Sequence, residues 1–380
     1  ADGINFAEST VTGVLTTSDT DALTVGETIV YKTNGSALGQ KGTVVATFTA
    51  GDGTNAVSYI GTFRHKTSGA IFLSSGTPTI VGQTSDNTRT ITAVANGSLT
   101  ATATTGSITQ SGALKVTGTS TFTTRADDED ITLEHTSNDF HDDVIFSTAG
   151  TSGNVAVYDS SDFYLDVSTI NGNLEVETGN AQNTVIGDEG IVTVTGTTSL
   201  LASGTNLAKA ASVYMMGFGH IFGGSVSAQG HHIKIQSGGD IELGAIRSGW
   251  GQFHLTSNGA DSAVTQSDTG YIQVATDTTI LGGSSNNVTL DSTLNSFGGY
   301  NTSAVLASTN IATTGSATSD EVKINGYDVV VVSDHSFNVG ASIIANDLTL
   351  TSGAAENNAG AYGITDTADV SVAGDFSATT

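Results

Sequence analysis

The sequence has no cysteine, one proline and only 11 basic residues among 380. Each scarcity excludes something. Without cysteine there is no disulfide framework, no thiolate metal site and no cysteine nucleophile. With 11 Lys and Arg against 37 Asp and Glu the formal net charge is −26, which repels a phosphate backbone and rules against a nucleic-acid partner. Long hydrophobic runs are missing too. The most apolar stretch, residues 210–226, is broken by Gly217, Gly219, His220, Gly223 and Gly224, and falls short of the ~18–20 residues of a transmembrane span. Glycine is abundant at 47 residues, but it has no three-residue period and proline is nearly absent, so collagen is excluded.

What is present is a chain that is 37% hydrophobic and 13% charged, in which short Val/Ile/Leu/Ala runs alternate with Thr and Ser. Disordered chains combine low hydrophobicity with dense charge, so this one is expected to fold, and to fold as all-β. Period-2 alternation marks strands at 42–50, 57–64, 90–94, 114–116, 131–133, 174–176 and 347–350. Gly, Asn, Asp and Ser clusters bound them, as turns require. Residues 207–216 are the strongest helix candidate and read equally as a buried strand. The chain opens Ala1-Asp2-Gly3 with no Met, basic region or apolar core, so a signal segment is expected to be absent from this stretch, removed or belonging to a longer chain.

Internal similarity is the most informative feature. Stretches beginning at Gly97, Gly172, Gly251 and Ala345 each run from a β triplet through a polar loop to two further strands, with anchors Leu99, Leu174, Phe253 and Leu348. A second motif lies between them: Ser137-Asn138-Asp139-Phe140, then Gly219-His220-Ile221-Phe222, then Leu294-Asn295-Ser296-Phe297. Repeats of about 75–95 residues, each holding three or four short turns, point to a parallel β-helix over residues 96–380. In that architecture rungs stack at ~4.8 Å and few prolines interrupt the ladder. Phe122, Phe140, Phe146, Phe222 and Phe297 are expected to stack inside. Residues 1–95 do not align with the repeats. Their Asn34-Gly35 and Asp52-Gly53 turns favour antiparallel pairs, and a β-sandwich-like N-terminal domain or a cap is expected there.

The repeat text from Gly106 to Phe122, followed by Asp130-Ile131-Thr132-Leu133 and Asn138-Asp139-Phe140, resembles the repeats of giant secreted bacterial proteins related to filamentous haemagglutinin, also described as β-strand-repeat proteins. The resemblance covers about residues 97–380. It implies an extracellular right-handed β-helix used as a stalk, adhesin or matrix fibre. The secretion domain that the family carries before its repeats is not expected within this stretch, since residues 1–95 show no resemblance to the family.

Chemistry-bearing residues are few. Asp127, Asp128, Glu129 and Asp130, with Asp142 and Asp143, offer hard oxygen ligands and are candidates for Ca²⁺, although none follows a twelve-residue calcium loop or a nine-residue glycine repeat. Solvated turns are the competing reading. His220, His231, His232 and His254 fall in one repeat, and adjacent strand residues point to opposite faces, so His231 and His232 are not expected to share a site. Lys115, Arg125, Lys209, Lys234, Arg247 and Lys323 read as scattered, which weakens a polysaccharide-degrading enzyme as the third reading. No nucleophile elbow, zinc-protease helix motif or phosphate loop is present. Trp250, Tyr214, Tyr271 and Tyr300 are candidates for a sugar platform. The expectation is a non-catalytic extracellular or cell-surface structural protein: a β-solenoid subunit of a filament, sheath, adhesin stalk or matrix, assembling as a homo-oligomer or head-to-tail polymer. The alternative is a monomeric carbohydrate-binding adhesin, with glycans or a cell surface as partner.

Overall fold

The computed structural model describes residues 98–110, 112–179, 183–202, 211–249, 251–260, 262–283, 285–297, 321–333, 336–353 and 363–380 in full, and within residues 4–93 the backbones of short strands. The described residues are all-β: strands joined by turns, with no helix. Parallel strands stack as a β-solenoid. Ser212–Met215 is a strand, which decides the ambiguous apolar segment for the part that is described; residues 207–210 lie outside it. The chain divides into two compact units, Ala1–Gly179 and Asn180–Thr380.

In the first unit each turn visits three sides. One side is the ladder Leu99–Ala103, Ser120–Asp127, Val144–Ala149. The next is Ile108–Gln110, Ile131–Leu133, Val155–Asp159, Leu174–Thr178. The third pairs Leu114–Val116 with Asp139–Phe140. All these pairings are parallel, so each inward position sits on its equivalent one turn away: Ile108, Ile131, Val155 and Leu174 form one buried column. Alternation in the sequence becomes alternation in burial. Leu99, Ala101 and Ala103 are buried, while Thr100 and Thr102 between them are half-buried. The phenylalanines stack inside as expected. Phe122 lies on Phe146 at 5.7 Å, with Phe140 edge-on to Phe122 at 6.1 Å and Phe163 on Phe146 at 6.5 Å. Such ring pairs add ~0.5–1.5 kcal/mol each beyond the area they bury.

Strand backbones near the N-terminus join the same ladders. Ile4–Phe6 pairs in parallel with Ile108–Gln110, Ser9–Val11 with Leu114–Val116, and Leu15–Asp19 with Leu99–Ala103. Further along, Val44–Ala50 pairs antiparallel with Ser58–Ile60, and Phe63–His65 pairs antiparallel with Gly69–Ile71 and Thr92–Ala93. The rest of residues 1–95, including both Asn-Gly and Asp-Gly turns on which the sandwich-or-cap expectation rests, lies outside the described residues.

The second unit repeats the plan. Its first ladder includes Val185–Asp188, Ser212–Met215, Ile233–Ser237, Phe253–Ser257, Thr278–Leu281 and Glu321–Gly326. Its second runs Thr198–Leu201, Val226–Gly230, Ile241–Ser248, Val264–Val274, Val288–Leu290, Val329–Ser333, Leu348–Ser352 and Phe376–Thr379. Residues 298–320, between Ser296–Phe297 and Glu321–Gly326, lie outside the described residues.

The sequence repeat is not a whole number of turns. In the first unit Leu99 opens a strand on one ladder and Leu174, its equivalent, opens a strand on the other. In the second unit Phe253 and Leu348 are divided in the same way. Successive repeats therefore place equivalent residues on different sides of the coil.

Candidate functional site

The acidic residues expected to bind Ca²⁺ sit at the corners between strands, where their oxygens accept hydrogen bonds from the chain one turn away. Asp128 Oδ1 accepts the amides of Thr151 at 2.7 Å and Ser152 at 3.0 Å, and these bonds hold its carboxyl below the ordinary range. Asp128 has a positive φ of 62° and packs against Gly150, φ 79°, where a Cβ would stand 2.5 Å from the Asp128 amide; only glycine fits. Asp130 accepts the Asn154 amide at 2.8 Å, Glu129 accepts the Ser107 hydroxyl at 2.6 Å, and Asp142 the Thr119 hydroxyl at 3.3 Å. Asp127 ends its strand and is exposed, and Asp143 offers its carbonyl to the Ser120 amide at 2.8 Å. Among the described residues no three His, Cys, Asp or Glu side chains converge as a metal-holding group.

The histidines separate into two environments. His231 and His232 precede the strand Ile233–Ser237 and lie in its turn, so the strand alternation does not apply to them. Their rings stand 4.5 Å apart, which corrects the expectation that they point to opposite faces. His254 bonds the Thr256 hydroxyl at 3.1 Å. Burial, and then the charge of Lys234, hold His232 and His254 below the ordinary imidazole range; burial and then His232 do the same to His231. Tyr214 and Tyr271 stand on different ladders and form no common platform, while Trp250 and Tyr300 lie outside the described residues.

His220 is different: it is 0% exposed and belongs to a corner that recurs. At the first such corner Asn138, also 0% exposed, accepts the Leu114 amide at 2.9 Å and the Gln110 side-chain amide at 2.8 Å on one oxygen. Its own amide nitrogen is shared among Gln110 Oε1 at 2.9 Å, the Leu133 carbonyl at 2.9 Å and the Tyr158 carbonyl at 3.1 Å. Gln110 Oε1 in turn accepts the His135 amide at 3.1 Å. At Asn295 the same bonds recur one for one. The oxygen takes Ile272 N at 2.8 Å and Gln266 Nε2 at 2.9 Å. The nitrogen goes to Gln266 Oε1 at 2.9 Å, Leu290 O at 3.3 Å and Val332 O at 3.1 Å, and Ser292 N donates to Gln266 Oε1 at 3.1 Å.

At the middle corner the pair is His220 and Asp188, whose side chains are 0% and 5% exposed. His220 Nδ1 accepts the Val192 amide at 3.0 Å, and its Nε2 faces both the Gly217 amide, which donates to it at 3.1 Å, and Asp188 Oδ2 at 3.2 Å. The Met216 amide donates to Asp188. A Cβ on Gly217 would come within 2.9 Å of both the ring and the carboxylate. Two residues after each corner residue stands a buried phenylalanine: Phe140, Phe222 and Phe297.

A model of a family of repeats of unknown function, DUF5649, matches residues 79–147, 152–229 and 230–304, more than half of the chain. The chain belongs to this repeat family. Each DUF5649 repeat carries one corner, with Asn138, His220 and Asn295 in the first, second and third. No curated protein and no solved structure matches the chain.

Sequence comparison alone had aligned Asn138, His220 and Asn295 but not their partners. Gln110 and Asp188 end strands in the preceding turn, Gln266 is the third residue of Val264–Val274, and only stacking brings them to the corner. A second residue escaped notice. Asp159 is 0% exposed and accepts the Phe140 amide at 2.7 Å and the Ser161 amide at 2.6 Å, and burial pushes its carboxyl up to about 6.

Proposed function

We propose that this DUF5649 protein is a non-catalytic extracellular structural protein, a β-solenoid subunit of a surface filament, sheath, adhesin stalk or matrix that assembles by end-to-end stacking. The observation that carries the reading is the unbroken parallel stacking: strand after strand of the described residues pairs in register with its equivalent one turn away, down to Leu348–Ser352 and Phe376–Thr379. Phe376 is the in-register partner of Leu348 and is 60% exposed, so it is the side chain at which stacking is probed. A parallel ladder of this kind is extended by addition of a further strand at its edge, which is the physical basis of stacking between copies.

Two further features support the reading. The buried polar side chains at the corners hold backbone rather than converge on an open cleft. The resemblance of residues 97–380 to filamentous-haemagglutinin-related repeats supplies the extracellular setting. Sedimentation and electron microscopy of the purified chain over a range of concentration and salt test it. The expected result is concentration-dependent end-to-end oligomers that Phe376→Asp abolishes. Monodisperse 38.3 kDa particles under all conditions, or oligomers unaffected by Phe376→Asp, would overturn it.

A further inference from the structure

Register dictates a row of side chains on the outside of the first ladder of the second unit. Tyr214, Lys234, His254, Thr279 and Lys323 are consecutive in-register partners. Each is half-buried between two buried neighbours, so all five point outward. At ~4.8 Å per rung the row extends over ~19 Å. Lysines that look scattered in the sequence are thus brought into one line.

The row is chemically unusual for this chain. Lys234 Nζ lies 5.7 Å from the centre of the Tyr214 ring. Among the described residues it has no carboxylate partner within 4.0 Å, although the chain carries 37 acids. Lys323, by contrast, is paired with Glu321 at 3.0 Å. The lowered imidazoles of His232 and His254 stay uncharged at neutral pH, each with one donor and one acceptor.

Two residues further along each strand runs a second outward row, Gln236, Thr256, Leu281 and Asn325, with Ile343 beyond. Gln236 is 7% exposed and its buried Oε1 has no hydrogen-bond partner among the described residues. Thr256, Leu281, Asn325 and Ile343 floor a groove of about 630 Å³ rimmed by Asn258 and Asn286.

We propose that this outward face binds a linear acidic glycan lying along the ladder. A ring face on Tyr214, an unpaired ammonium, neutral imidazoles and side-chain amides are together what a carboxylated sugar chain needs: stacking, one charge partner and many hydroxyl partners. Sugar rings in an extended chain recur at close to the rung spacing, so successive rungs meet successive sugars. Phosphate polymers are disfavoured by the net charge of −26, which a sparsely carboxylated chain tolerates better. The inference does not depend on end-to-end assembly and is read on the non-assembling Phe376→Asp chain as well as on the unaltered one.

Calorimetric titration with hyaluronan oligosaccharides, whose carboxylates stand on alternate sugars, a neutral cello-oligosaccharide and polyglutamate tests it. The hyaluronan oligosaccharide is expected to bind more tightly than either of the other two. Lys234→Ala and Tyr214→Ala are each expected to weaken it by at least about tenfold, with unchanged melting curves because both side chains point outward. Lys115→Ala, on the first unit, leaves binding unchanged. Absence of hyaluronan-oligosaccharide binding, binding indifferent to Lys234→Ala and Tyr214→Ala, or tighter binding of polyglutamate would overturn the proposal.

Discussion

At the Asn138 corner a pair of neutral amides gathers backbone groups from neighbouring turns; at the His220 corner an imidazole and a carboxylate do the same work. Both corner residues are fully buried, both take the amide of a strand that begins a new side, and both are followed two residues later by a buried phenylalanine. What differs is how the bonds are divided. Asn138 reaches two carbonyls directly through its amide nitrogen, whereas the His220 ring takes the amides of Val192 and Gly217 and Asp188 takes that of Met216. The repeat keeps a position and a bonding pattern rather than a residue. The physical reason is that an orphaned buried amide or carbonyl costs ~1–3 kcal/mol, so any side-chain pair that satisfies the same backbone groups is admissible.

The largest expected effect comes from emptying the first corner. Asn138→Leu removes the acceptor of the Leu114 amide and the donor to the Leu133 and Tyr158 carbonyls at once. A loss of about 4 kcal/mol is expected from several buried groups orphaned together. Urea unfolding would measure it, and a loss below about 1 kcal/mol would mean that the corner is not structural.

A change of pH sharpens the comparison next. Asp159, which holds the Phe140 amide of the Asn138 corner, keeps its proton up to about pH 6 in the fold, against the ordinary 3.8 outside it. The folded state therefore binds more protons between those values, and the corner loses stability as pH rises through that window, by up to roughly 3 kcal/mol. Ser237 and Ser333 stand where Asp159 would in the later repeats, so Asp159→Ser should flatten the dependence. The second unit should respond in the opposite sense. His231, His232 and His254 are held below the ordinary range, so their contribution is lost as pH falls through the ordinary imidazole value of 6.5. That effect is the smaller because these rings are partly exposed. Hydrogen exchange over residues 139–161 and 231–257, corrected for intrinsic rates, would show protection rising on one segment and falling on the other between pH 7 and 5. Parallel changes would contradict the assignment.

The strand ladders were legible because alternation and turn residues are local signals. The triplets at 114–116 and 131–133 are strands at those bounds, and the anchors Leu99, Leu174, Phe253 and Leu348 all open strands. The corners were half legible. Asn138, His220 and Asn295 share a phenylalanine two residues on, which a repeat comparison finds, but Gln110, Asp188 and Gln266 become neighbours only when turns stack. The same limit hid the outward row. Tyr214, Lys234 and His254 are separated by about a turn each, and nothing in the spacing reveals that the turns are in register. Adjacent His231 and His232 misled for the reverse reason: alternation was applied to residues that lie in a turn. Asp159 was indistinguishable from the other acids because burial is not written in its immediate neighbours.

Whether the repeat preserves a bonding pattern is tested most directly by a double-mutant cycle at the middle corner, with His220→Asn, Asp188→Gln and the two together. Each single change mismatches the pair and is expected to cost about 2 kcal/mol, while the double change recreates the Asn–Gln pair of the flanking corners and is expected to cost about 0.5 kcal/mol. The coupling would then be about 3.5 kcal/mol, with protection of the Val192 amide restored. Additive costs, with the double variant the least stable of the three, would show that the His–Asp corner is not the counterpart of the other two.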